Sequence, residues 1–127
     1  MKKIIALILV LTMALFCFAS CTSISKYEDK LEDEDYEVET VKTKEIKSQL
    51  KEMKLDIDDY KIKEIIEAYS EDGDYVMVVQ CGSAGKAKTL VKDLEKAFKK
   101  NDIDNKVDSK GKFVFVGDKS AIKDAMK

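Results

Sequence analysis

Two kinds of hydrophobic pattern follow one another along the chain. Residues 4–18 form a continuous apolar run in which Thr12 is the only conventionally polar member, and Lys2 and Lys3 precede it. An acidic stretch follows, and from Val41 onward apolar residues recur at spacings typical of helices and strands. The pattern predicts a leader, a polar connection and a single domain over residues 40–127, since a chain of 127 residues has room for one domain.

The first half of the domain is predicted to hold a helix and a hairpin. Residues 40–55 carry apolar side chains at roughly helical spacing. Asp72-Gly73 lies between two apolar runs and indicates a two-residue turn that pairs Ser70 with Tyr75.

That register places a largely apolar set of side chains on one face of the hairpin. The set comprises Ile62, Ile66, Ala68, Tyr75, Met77, Val79 and Cys81. Residues 60–69 also fit helical spacing, so this segment stays open between a strand, which the turn favours, and a helix.

The second half repeats the sequence of helix and hairpin. Ser83 is a suitable N-cap for a helix that ends near Lys99. Its apolar stripe consists of Ala87, Leu90, Val91, Leu94, Ala97 and Phe98. A hairpin with a Lys110-Gly111 turn and a closing helix over residues 120–126 follow. The order α-β-β-α-β-β-α predicts an α+β fold, in which a small antiparallel sheet packs on helices as a two-layer sandwich.

Charge and composition narrow the chemistry that this domain could perform. The chain has 23 basic and 25 acidic residues, all of the basic ones are lysine, and there is no histidine. Without histidine the chain lacks the commonest general base and the commonest metal ligand. The sequence contains no basic patch of the kind that would indicate a nucleic-acid partner.

The acidic stretch lies between the leader and the domain. It contains one lysine, Lys30, and eight carboxylates: Glu28, Asp29, Glu32, Asp33, Glu34, Asp35, Glu37 and Glu39. Charge repulsion extends such a segment, so residues 21–39 are predicted to be a solvated tether. Residues 22–40 would reach about 60 Å when fully extended. The alternative is a contact surface for a cation-rich or basic partner.

The leader has the three parts of a secretory signal. Two lysines precede the apolar run, and small residues, Ala19 and Ser20, follow it. The segment "FASC" resembles a bacterial lipobox. The resemblance implies cleavage between Ser20 and Cys21, removal of residues 1–20, and a diacylglycerol group on the Cys21 thiol. Cys17 follows bulky Phe16 and should leave with the leader.

An uncleaved anchor is the alternative for this region. Residues 4–25 contain no charge, and 22 residues are enough to span a bilayer. In both cases the two N-terminal lysines keep the start of the chain inside, so the domain is expected outside the cytoplasm.

Two acidic segments and one glycine-rich segment partly match known ligand-binding motifs. "GSAGK", residues 82–86, has two residues between its glycines where a phosphate loop has four, so it is interpreted as a helix start. Asp56, Asp58 and Glu67 match three positions of an EF-hand loop, but Lys61 stands where the turn needs glycine. "NDIDN", residues 101–105, is followed by lysine where another ligand is wanted. No metal, cofactor or catalytic residue is therefore predicted.

Cys81 is the only thiol after Cys21. At the end of a core strand it is predicted to be a small buried hydrophobe. The alternative is an intermolecular disulfide in an oxidising compartment.

The layout of the whole chain resembles small lipoproteins of Gram-positive bacteria. A lipobox and a charged spacer are followed by "DYVMVV", a lysine-rich helix and "GKFVFVGDKSAIKDAMK". The resemblance implies a membrane-anchored, extracytoplasmic protein held by its lipid, with a protein or cell-envelope partner. A binding or interaction module without catalysis is expected, and a small hydrolase that uses carboxylates is the alternative.

Overall fold

The computed structural model of the chain describes residues 24–126. Within that range ten elements follow in the order α1 Ser25–Asp33, β1 Glu37–Val41, α2 Thr43–Glu52, a 3-10 helix Ile57–Tyr60, β2 Glu64–Tyr69, β3 Tyr75–Gln80, α3 Ala84–Lys100, β4 Lys106–Lys110, β5 Phe113–Gly117 and α4 Lys119–Met126. The predicted leader, residues 1–20, and Cys17 and Cys21 lie outside the described residues.

The five strands form one sheet in the order β1-β2-β3-β5-β4, and every neighbouring pair is antiparallel. The predicted α+β class is therefore confirmed. The observed order of elements begins with a helix and a strand that the sequence interpretation did not include, so the predicted order α-β-β-α-β-β-α covers only the part from α2 onward.

Helices cover both faces of the sheet, which corrects the predicted two-layer sandwich to three layers. α2, the 3-10 helix and α3 pack on one face, while α1 and α4 pack on the other. The central strands show the consequence: all five residues of β5 are buried. A strand that is buried on both faces reads as a continuous apolar run, and "FVFVG" has that character.

The predicted tether is wrong for residues 24–39, because these residues belong to the fold. Ile24, Tyr27 and Leu31 recur at the spacing of a helix face, and Tyr27 and Leu31 are 1% and 0% exposed. The Tyr27 ring meets the rings of Phe113 and Phe115 with centroids 4.7 and 5.1 Å apart. The predicted domain start at residue 40 therefore moves to residue 24, the first described residue.

The β2–β3 hairpin differs from the predicted register by one residue. Tyr69 pairs with Tyr75 and Ala68 with Val76, and the connection is a five-residue loop over residues 70–74. Gly73 has a φ of 90° in that loop, where glycine is the residue that costs least. A shift of one residue exchanges the two faces of a strand. Ile66 and Ala68 consequently lie on the α1/α4 face, apart from Met77, Val79 and Cys81.

The remaining predictions agree with the structure in part. Residues 64–69 are a strand, so the strand interpretation of that segment is confirmed. The Ser83 hydroxyl caps α3 by accepting a hydrogen bond of 3.2 Å from the Lys86 amide. The second hairpin turns at Gly111-Lys112, one residue later than predicted. α2 is shorter than the predicted helix because Val41 ends β1.

Candidate functional site

A groove with a volume of about 300 Å³ opens between α2 and α3 above the sheet. Three polar residues line it, Gln49, Glu52 and Asn105, and the others are apolar or aromatic: Ile46, Leu50, Met53, Ile62, Tyr75, Met77, Val79, Leu90, Leu94, Phe98, Ile103 and Val116. The volume lies at the lower end of the range of small-molecule sites, roughly 300–1,000 Å³.

Helical and strand periodicities converge to build this groove. The α2 wall is formed by Ile46 and Leu50, which lie on one helix face, and by the C-cap residue Met53, at intervals of four and three residues. The α3 wall repeats every four residues, at Leu90, Leu94 and Phe98. The floor follows the two-residue period of a strand, with Tyr75, Met77 and Val79 of β3 on the groove side.

Two local features hold the walls in place. After α2, Lys54 adopts a φ of 62°, and the Leu55 amide donates to the Leu50 carbonyl at 2.8 Å, which ends the helix and turns the chain toward the 3-10 helix. The Tyr60 hydroxyl of that 3-10 helix donates to Asp93 Oδ2 of α3 at 2.7 Å. Burial, followed by this hydrogen bond, raises the pKa of Tyr60, so the hydroxyl stays protonated as a donor.

One end of the groove opens onto tyrosine and glutamate side chains. The Tyr75 hydroxyl donates to Glu67 Oε2 at 3.2 Å, and the Tyr69 ring lies 5.0 Å from the Tyr75 ring at an angle of 44°. Glu39 of β1 pairs directly with Glu67 in the sheet, so both carboxylates project from the same face. We call Glu39, Glu67, Tyr69 and Tyr75 the acidic mouth.

The acidic mouth is only partly covered. Tyr69 is 45% exposed, and Ile103 at the edge of the groove is 39% exposed; both rank among the exposed large hydrophobic side chains of residues 24–126. Partial burial raises the pKa of the Tyr75 hydroxyl, with the Glu67 carboxylate as the next cause, and the same two influences raise the pKa of Tyr69. Both tyrosines are neutral at physiological pH, so the net charge of the mouth comes from its carboxylates.

The residues that match positions of an EF-hand loop have other roles in the structure. The Asp56 side chain accepts from the Asp58 amide at 3.0 Å and caps the 3-10 helix. Glu67 lies on β2 and accepts from Tyr75. Across residues 24–126 no three acidic, cysteine or histidine side chains are gathered in a way that could hold a metal ion.

Cys81 is fully buried at the end of β3, on the face that carries Met77 and Val79. Burial raises the pKa of its thiol to about 11. The prediction that this thiol is sheltered is confirmed.

The groove itself was not foreseen from the sequence. Its two helical stripes were visible, but both were interpreted as ordinary core positions. The acidic mouth depends on which residues share a face of β2 and β3, and the predicted register placed Tyr75 opposite Ser70 rather than Tyr69.

Of the helices in residues 24–126, none combines the length and the apolar character needed to cross a membrane. No protein-family model matches the chain, and searches of curated proteins and of solved structures give no match either.

Proposed function

We propose that this chain is a lipid-anchored, extracytoplasmic binding module without catalytic activity, and that the groove between α2 and α3 is its ligand site. Cleavage between Ser20 and Cys21 leaves the Cys21 thiol as the lipid attachment point, and the domain lies on the outer side of the cell membrane. The support for the anchor is the lipobox-like segment "FASC" behind the charged and apolar leader.

The observation that carries the binding role is the groove of about 300 Å³ and its predominantly apolar lining. Apolar surface left in water costs roughly 25 cal/mol per Å², so a ligand that covers this surface gains affinity from its burial alone. Met53 and Met77 both line the groove, and flexible thioether side chains adapt to ligands of different shape.

The position of the titrating carboxyls supports binding over hydrolysis. A general acid that works near neutral pH needs a raised carboxyl pKa at the place where the substrate lies. Glu28 has a pKa raised to about 7, chiefly by partial burial and then by Glu32, but it belongs to α1, on the other side of the sheet from the groove. The groove is thus separated from the carboxyl that is best tuned for proton transfer.

The corrected start of the domain changes how far the anchor would hold it from the membrane. Cys21 precedes Ile24 by three residues. Three residues span at most about 11 Å, in place of the 60 Å reach expected for an extended tether. The domain would therefore lie against the headgroup region, and its ligand would be a molecule found close to the membrane surface.

The anchor is tested by labelling with radioactive fatty acid in cells. The Cys21→Ala protein should accumulate as an unprocessed precursor without label, while Cys17→Ala should be processed and labelled normally. Label that persists in Cys21→Ala and disappears in Cys17→Ala would reverse the assignment.

The groove is tested by placing a photo-crosslinking amino acid at one of two exposed positions in the anchored protein. Position 103 is at the groove edge, and position 123 is on α4, behind the sheet. We expect a discrete adduct from position 103 that disappears when the floor is made polar by Met77→Asp. An adduct that survives Met77→Asp, or that forms equally from position 123, would contradict a groove ligand.

A further inference from the structure

We propose that the ligand of the groove is a peptide segment of a partner protein in which apolar residues stand next to lysine or arginine. The inference depends on the proposed function, because it names the ligand class of the same groove. The apolar side chains would enter the groove, and the cationic side chain would lie at the acidic mouth.

The acidic mouth provides an attraction for a cation. Glu39 and Glu67 stand opposite each other in the β1–β2 pair, and like charges in that position repel. A cation placed between them would relieve the repulsion. Tyr69 is 45% exposed beside these carboxylates, with its ring 5.0 Å from that of Tyr75, and tyrosine faces attract ammonium and guanidinium groups.

The charge of the groove lining also favours a cationic ligand. None of the lysines within residues 24–126 lines the groove, where Glu52 is the only charged residue among those described. Within the groove itself an anionic ligand would meet no lysine, since Lys99 and Lys106 line the neighbouring depression beyond Ile103 and Asn105. A cationic ligand would meet Glu52 at the α2 rim and the two carboxylates of the mouth.

The shape of the surface favours a peptide. The floor runs over β3 from Tyr75 to Val79, which is four residue steps or about 13 Å. An extended segment of four or five residues has the same length and alternates its side chains between two directions. The surface continues past the groove, since Ile103 and Tyr69 are exposed beside its open end. A peptide uses such an extended surface more fully than a compact molecule does.

The experiment uses the full chain in nanodiscs of zwitterionic phosphatidylcholine, with methionine methyl groups labelled with ¹³C for NMR. Met53 and Met77 report on the groove, and Met126 reports on the opposite face of the sheet. The probes are octapeptides of alternating leucine and lysine, leucine and serine, or serine and lysine, together with hexanol and hexyltrimethylammonium. Empty nanodiscs correct for partition into lipid.

Two double variants with the same change in charge provide the matched comparison. Glu39→Gln with Glu67→Gln neutralises the acidic mouth. Glu45→Gln with Asp33→Asn neutralises two exposed carboxylates, on α2 and α1, that do not line the groove. An unchanged Met126 resonance shows that each variant is folded.

We expect the leucine–lysine peptide to shift the Met53 and Met77 resonances and to leave Met126 in place. It should bind roughly tenfold more tightly than the leucine–serine peptide, because two partly exposed ion pairs, between peptide lysines and the carboxylates of the acidic mouth, contribute modestly to the binding free energy. The mouth variant should remove that advantage, and the control variant should keep it.

Other results would overturn the inference in distinguishable ways. If the leucine–serine peptide binds as tightly as the leucine–lysine peptide, or if the mouth variant keeps the preference for leucine–lysine, the cationic part of the ligand is refuted. The groove would still be a binding site in that case. Groove binding by hexyltrimethylammonium but by neither leucine peptide would replace the peptide with a small amphipathic cation. Binding of the serine–lysine peptide without methionine shifts would place the contact outside the groove. If no probe, hexanol included, shifts Met53 or Met77, the proposed function itself fails.

Discussion

On one face of the sheet, α1 and α4 pack closely on the strands, whereas on the other face α2 and α3 leave a groove between them. The closed face is filled by the ring cluster of Tyr27, Phe113 and Phe115 and by Ala121 and Ala125, whose small side chains allow α4 to approach the sheet. The open face has longer aliphatic side chains on both helices, and the side chains that stay only partly covered on that face are Met53, Leu55, Ile62, Met77, Val91 and Val107. Burial of apolar area is the main source of stability.

The two faces of the sheet differ in how they are held together and in what they leave accessible. The closed face is joined at its edge by a hydrogen bond of 3.0 Å from the Tyr36 hydroxyl to Asp124 Oδ2, which links the start of β1 to α4. The open face has its corresponding bond, from Tyr60 to Asp93, between the 3-10 helix and α3, and neither residue lines the groove. We infer that the closed face stabilises the fold and that the open face is available for a ligand.

Tyr27→Ala should have the largest effect on stability. The side chain is buried between two phenylalanine rings, and removing a buried aromatic side chain costs about 3–5 kcal/mol. Chemical denaturation of the full chain should show this loss in the free energy of unfolding. A loss below about 1 kcal/mol would mean that α1 is a dispensable addition, as the tether prediction required.

The sequence interpretation of α1 failed for a physical reason. Eight carboxylates between residues 28 and 39 outweigh the apolar residues in any measure of average polarity. The helix needs only one narrow stripe, Ile24, Tyr27 and Leu31, because its other side is in contact with water. The stripe was detectable by its spacing, but the charge count obscured it.

The register of the β2–β3 hairpin was wrong for a different reason. Asp72-Gly73 does lie in the turn, but the loop has five residues, closed by the Ser70 hydroxyl, which accepts from the Asp74 amide at 3.0 Å. Since both faces of β3 are covered, "YVMVVQ" has no polar alternation that could have exposed the one-residue error. The acidic mouth follows from this register and could not be predicted without it.

Met77→Ala and Val78→Ala test the two faces at neighbouring positions of one strand. Val78 points to the closed face and is fully buried, so its truncation should cost about 2 kcal/mol. Met77 is half-buried on the groove floor, and its truncation should cost less than about 1 kcal/mol. Equal losses in denaturation experiments would show that the groove face contributes as much to stability as the closed face does.

Glu28→Gln tests the edge of the closed face through the pH dependence of stability. The pKa of Glu28 is raised from 4.5 to about 7, chiefly by partial burial and then by Glu32, Asp29 and Glu64. The folded state therefore holds the proton more tightly than the unfolded state. The stability that this proton provides is complete below pH 4.5 and is lost as the pH rises toward 7.

Glu28→Gln should accordingly raise the free energy of unfolding at pH 8 by about 1 kcal/mol, after allowance for solvent screening, and change it little at pH 4.5. A smaller pH dependence should remain in the variant, because burial also raises the pKa values of Asp29 and Glu32. Exposed Glu95→Gln is the matched control and should show no such gain. A destabilised Glu28→Gln protein at pH 8 would contradict the assigned pKa.

The reactivity of the Cys81 thiol tests whether the open face is less stable than the closed face. The quantity measured is a rate of reaction and not a free energy of unfolding. The thiol is fully buried on the groove face, and its pKa is raised from 9.0 to about 11. At pH 8 this lowers the thiolate fraction roughly a hundredfold. In a full chain carrying Cys17→Ala and Cys21→Ala, Cys81 should therefore react with a thiol reagent far more slowly than in denaturant.

If the rate rises with denaturant only as global unfolding does, the groove is open in shape but lies over a stable core. Reaction in water that is much faster than global unfolding, and that slows when a ligand fills the groove, would show instead that α2 and α3 open independently of the closed face.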